Sequence, residues 1–119
     1  MRTGKMEIHG KEYMITMNNR VLAGLEEKGI SLEEIGKGKK LTNTLTLIFL
    51  MINAGSRLAR LEGLGDYPAI TMDELMDYTT TEDYERFLSA ALPVIQGDRK
   101  VDAVPGKNGE AARAEGQGN

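Results

Sequence analysis

The sequence predicts a mainly α-helical fold: a small helical domain with an N-terminal β-hairpin, residues 1–96, followed by a disordered Gly-rich tail, residues 97–119. Three observations predict it. The first is the stretch from Leu41 to Leu61, which no charge interrupts before Arg57. Its Leu41, Leu45, Ile48, Phe49, Ile52 and Leu61 recur at a helical period. The second is a series of capping residues and glycines that divides the rest into short helices. The third is a pair of β-prone runs near the N-terminus.

Lys5 to His9 and Glu12 to Met17 are those two runs. Gly10-Lys11 between them is a Gly-X signal for a type II′ hairpin turn. Ile8 lies on one face of the first run, and Tyr13, Ile15 and Met17 share a face of the second. A lone hairpin is marginal in water, so it is expected to lie on the helices or on a neighbouring chain. Asn18 or Asn19 caps a helix to about Lys28, with Val21, Leu22 and Leu25 inward and Gly29 as its left-handed stop. Ser31 three residues before Glu34 is a capping box that opens one short turn, closed by Gly36. The basic loop Gly36–Lys40 then leads into the long apolar helix, from about Thr42 to about Leu61.

Two glycines and a proline make Glu62–Pro68 a connector. Thr71 and Glu74 form a second capping box, which opens a short helix to about Tyr78. Thr79 and Glu82 form a third cap-like start. The helix after it carries Tyr84, Phe87, Leu88, Ala91, Leu92 and Ile95 at helical spacing, with a kink or loose final turn expected at Pro93. From Gly97 onward the only sizeable apolar side chains are Val101 and Val104, too little surface to order a segment with five glycines.

At 119 residues the chain holds one domain at most. Aromatics are 5% and Trp is absent, so the core must rest on Leu, Ile and Met. The seven methionines either fill that core or provide adaptable contact surface. Without Cys there are no disulfides, thiolate metal sites or Cys nucleophiles, which suits a reducing cytosol. The N-terminus lacks the apolar run of a signal peptide, and the unbroken apolar run Leu47–Ile52 is far short of the ~20 residues a bilayer needs.

Net charge is −3, mildly against a nucleic-acid binder. Its distribution says more. Residues 1–61 carry ten bases and six acids, whereas 62–85 carry eight acids and no base. Solvated faces account for this; so does head-to-tail self-association, which joins two different patches.

Little in the sequence suggests catalysis or cofactor binding. His9, the single histidine, has no second candidate ligand nearby and reads as a strand residue. Gly36–Lys40 lacks phosphate-loop spacing, although Lys39 and Lys40 at the start of the long helix would suit an anion. Asp73 and Asp77, with Glu82, Asp83 and Glu85, are most simply acids near the positive ends of two helices. No enzyme, metal or cofactor is expected.

Several of these pieces together resemble a known family. They are Ile-x-Gly-Lys-x-Tyr at Ile8–Tyr13, Leu-Glu-Glu-Lys-Gly at Leu25–Gly29, Ser-Leu-Glu-Glu-Ile at Ser31–Ile35, and the apolar helix at Leu41–Leu61. Thr-Met-Asp-Glu-Leu-Met at Thr71–Met76 and a last helix through Ala90–Leu92 complete the order. This arrangement resembles the tail assembly chaperones of long-tailed bacteriophages and prophages, over residues 6–96. The resemblance implies a non-enzymatic chaperone that self-associates and coats the apolar tape measure protein. It implies a place in the host cytoplasm and absence from the mature virion. It also implies a −1 frameshifted longer form that recruits tail tube protein. Gly106-Lys107-Asn108 is compatible with a slippery heptamer and equally with an ordinary flexible tail.

In the long helix, the surplus apolar face is expected to be the partner and oligomer interface: Leu47, Leu50, Met51 and Ala54. Leu45, Ile48, Phe49 and Ile52 are expected to form the core. The alternative reading is a small nucleic-acid-binding regulator, with Lys37, Lys39 and Lys40 on phosphate; the acidic 62–85 segment weighs against it.

Overall fold

In the computed structural model, which describes residues 3–37 and 41–97, strands β1 (Thr3–Ile8) and β2 (Lys11–Thr16) form an antiparallel hairpin. Ile8 pairs with Lys11, so the loop is His9-Gly10, one residue earlier than the expected Gly10-Lys11. Both loop residues have positive φ, 52° and 79°, which is the signature of a type I′ turn and not of type II′. The burial pattern explains the register. It sets Met6 opposite Tyr13 and Gly4 opposite Ile15, gathering Met6, Ile8, Tyr13 and Ile15 on one buried face. A one-residue slip would turn Met6 and Ile8 to the face that exposed Lys5 and Glu7 now occupy. Histidine tolerates the left-handed region better than most residues, and the His9 ring stacks on Tyr78 with centroids 4.0 Å apart.

Helix α1 (Asn19–Glu27) starts at Asn18, whose side chain accepts a hydrogen bond from the Val21 amide at 3.3 Å. It ends in a Schellman motif. The Ile30 amide donates to the Leu25 carbonyl and the Gly29 amide to the Glu26 carbonyl, with Gly29 at φ 69°. Helix α2 (Leu32–Gly36) is capped by Ser31, which accepts from the Glu34 amide at 3.1 Å. Helix α3 (Leu41–Glu62) is the longest element, and α4 (Met72–Tyr78) follows an extended connector. A 3-10 turn (Thr81–Asp83) runs into α5 (Tyr84–Gln96). The third cap is Thr80 with Asp83, one residue beyond the expected Thr79 and Glu82; Thr79 instead donates its hydroxyl to the Leu75 carbonyl. Helix α5 continues through Pro93, since Ser89, whose carbonyl loses a partner there, is exposed to water. The expected disordered tail lies outside the described residues, apart from Gly97.

Helix α3 is the hub. It packs on β2 and on all four other helices, and its Leu47, Ile48, Met51 and Ile52 are fully buried among Ile15, Val21, Leu75 and Phe87. At Gly55 it meets the hairpin backbone directly. A Cβ there would overlap the Met14 carbonyl oxygen and stand 2.9 Å from the Ile15 amide nitrogen.

Polar groups on the same helix hold the connector. Asn53 donates its side-chain amide to the Phe49 carbonyl at 2.9 Å and the Ile70 carbonyl at 3.0 Å, and accepts from the Ile70 amide at 3.0 Å. Ser56 donates to the Tyr67 carbonyl at 2.8 Å, and Arg60 donates to the Ser56 hydroxyl.

The caps have a pH consequence. Hydrogen bonds from the Thr71 amide and hydroxyl hold the Glu74 carboxyl below its ordinary 4.5. The Thr80 amide and then Arg86 hold Asp83 below 3.8. A folded-state pKa below the unfolded one contributes stability that is complete above the unfolded value and lost as pH falls through the folded one. Tm is therefore expected to hold from neutrality to about pH 5 and to drop below ~4.5. In Glu74→Gln that drop should be shallower, as thermal melts across the acid range will show. An equally steep drop would remove Glu74 from the account.

Candidate functional site

The four residues expected to face a partner separate in the structure. Leu47, Met51 and Ala54 are 1%, 0% and 2% exposed, so three of the four belong to the chain's own core. The correction has a simple cause. A helix apolar on most sides is buried on most sides, and here the hairpin, α1, α4 and α5 supply enough surface to enclose it. Only Leu50 stays half-buried. Phe49, assigned to the core, is half-buried as well, whereas Leu45, Ile48 and Ile52 are buried.

Leu50 lies in a surface groove between α1 and α3. One end is a cleft of about 330 Å³ lined by Leu50, Asn53, Ala54 and Ala69, with Arg20, Arg57 and Arg60 around it. The other end runs along α1 past Ala23 and Gly24 to Glu27, sharing Arg20 and Leu50. Helical geometry builds this groove, because residues 50, 53, 54, 57 and 60 recur three and four apart and share one face of α3. Leu50 and Ala69 give the floor its apolar surface beside Asn53 and Ser56, and the rim is cationic. None of the three arginines has a carboxylate partner among the described residues; the ion pair found there joins Arg86 to Asp83 at 3.0 Å.

A second cleft, of about 290 Å³, opens at the far end of α3. Leu41, Leu45, Met76 and Tyr84 line it together with Thr79, Thr80 and Thr81. Leu41 and Met76 are half exposed there. No protein-family model, curated protein or solved structure matches this chain. Any reading of the site thus rests on these two clefts and their chemistry.

His9 occupies the hairpin turn, not a strand, and is engaged with Tyr78. Among the described residues no three His, Asp or Glu side chains come together in a way that would hold a metal ion. Asp73 and Glu74 lie in the first turn of α4, while Asp77 lies near its end and is exposed. Lys37 is exposed after α2; Lys39 and Lys40, the other phosphate-contact candidates, lie outside the described residues, as does Gly106–Asn108. No described helix is long and apolar enough to cross a membrane.

In the sequence, Arg20, Arg57 and Arg60 stand out only as part of the charge balance. Their periodic signal was present: Asn53, Ser56, Arg57 and Arg60 form a polar stripe at helical spacing at the end of the apolar segment. What was not visible is that α1 delivers Arg20 to the same cleft.

Proposed function

We propose that this chain is a non-enzymatic assembly chaperone of phage tail morphogenesis, one that self-associates and coats the apolar tape measure protein in the host cytoplasm without entering the mature virion. The observation that carries this reading is the surface itself. It offers apolar clefts and half-exposed Leu41, Leu64, Met76 and Leu92 on a small helical frame. Such clefts suit the side chains of an extended apolar client, and a flexible methionine at one rim adapts to many of them. The resemblance drawn from the sequence rests on this order of elements, hairpin first and long apolar helix at the centre.

Co-expression with a tape measure protein tests this directly. The wild-type chain should keep the client soluble and co-purify with it. Leu50→Asp, which sets a charge at a half-buried position packed on the core and on Gly24, should reduce the recovered complex roughly tenfold or more in preparations whose circular dichroism matches wild type. Full recovery of the complex with that variant, or an insoluble client in the presence of wild type, would defeat the proposal. The intact masses of products from the native gene with its downstream DNA address the longer form. A minor product that shares residues through about Lys107 is the expected sign of a frameshifted partner for tail tube protein.

A further inference from the structure

We infer that the arginine-rimmed cleft between α1 and α3 is the socket of a head-to-tail contact, and that its occupant is helix α4 of a second copy of this chain. The inference deepens the self-association part of the proposed function and rests on it. Arg20, Arg57 and Arg60 surround a floor whose apolar surface comes from Leu50 and Ala69, beside Asn53 and Ser56, and no described carboxylate pairs with them. Glu27, the acid of the adjoining groove, stands at its opposite end from the Arg57–Arg60 cleft and forms no ion pair among the described residues.

The same chain displays the complementary surface. Asp73, Met76 and Asp77 are spaced three and four apart on α4 and share one exposed face, with Met76 47% exposed. That face offers two carboxylates to the guanidinium groups and one flexible apolar side chain to the floor. The acids Glu82 and Glu85 beyond it are exposed too and extend the negative field.

Met76 is remote from the socket of its own molecule. Met76 lines the cleft at Leu41 and Leu45, whereas Arg57 follows Leu45 by twelve residues along α3. At ~1.5 Å per residue that separates them by roughly 18 Å. Two unlike patches that join on different copies generate a heterologous contact, which closes into a ring or continues as a filament. An acidic protein face fits the socket better than a nucleic acid does, because Leu50 and Ala69 give the floor apolar surface and the chain as a whole carries a net charge of −3.

Charge reversal with complementation tests the contact. Sedimentation of the full chain at low salt should show concentration-dependent association that weakens as salt is added. Arg20→Glu/Arg57→Glu and, separately, Asp73→Lys/Asp77→Lys should each weaken it roughly tenfold or more. An equimolar mixture of the two variants should restore it, since each then offers the patch the other needs. All four positions are exposed, and circular dichroism of each variant checks that the fold survives. Oligomers that form unchanged in both variants would overturn this interface while leaving self-association standing. A wild-type chain that stays monomeric throughout would overturn both. Salt-sensitive binding of duplex DNA, lost in Arg20→Glu/Arg57→Glu without any self-association, would assign the cleft to phosphate instead.

Discussion

Gly55→Ala is expected to destabilise the fold by about 3 kcal/mol or more. For a domain of this size that is a fall in Tm of roughly 10 °C or more. The sign is informative, because helix propensity alone predicts the opposite: alanine in a helix interior is favoured over glycine by ~1 kcal/mol. Packing decides otherwise. The added methyl would overlap the Met14 carbonyl oxygen and press on the Ile15 amide. Those atoms are main chain within a paired strand, so no rotamer change relieves the overlap. Helix α3 would have to lift from β2, which opens the contacts that bury Met51 and Ile52. Thermal or denaturant unfolding of the variant gives the answer. A variant as stable as wild type would mean that α3 and the hairpin backbone are not in contact at Gly55.

Asn53→Ala should cost about 2–4 kcal/mol, because it strands two backbone groups at once. The Ile70 amide and carbonyl both pair with the Asn53 side chain, and Ile70 itself is buried. An alanine leaves them desolvated and unpaired, or lets the connector peel away to find water. Hydrogen exchange separates this from a general loss of stability. Amides around Tyr67–Ile70 should lose protection ahead of those in α3 and β2, since local opening then replaces global unfolding as their exchange route. Asn53→Asp should not rescue the variant at neutral pH. It retains the acceptor for the Ile70 amide but sets a carboxylate against the Ile70 carbonyl oxygen. Uniform protection across the connector would show that other contacts hold it.

The sequence by itself determined the elements and most of their ends. Apolar period, capping residues and glycines act within a few residues of chain, so the five helices, the hairpin and the stops at Gly29 and Gly36 were legible from local chemistry. The turn slipped by one residue because Gly10 fits either loop position locally, and only the burial of Met6, Ile8, Tyr13 and Ile15 chooses the register. The long helix showed the same limit more strongly. Its sequence says that Leu47, Met51 and Ala54 must be covered, but not by what; the fold covers them with its own hairpin and helices. Asn53, Gly55 and Ser56 are each a point where another segment meets α3, which the apolar run by itself does not announce. Arg20 joins Arg57 and Arg60 only because α1 packs across α3. Periodicity is a property of one segment, whereas coverage and cleft formation belong to pairs of segments distant in sequence, and tertiary packing alone brings those together.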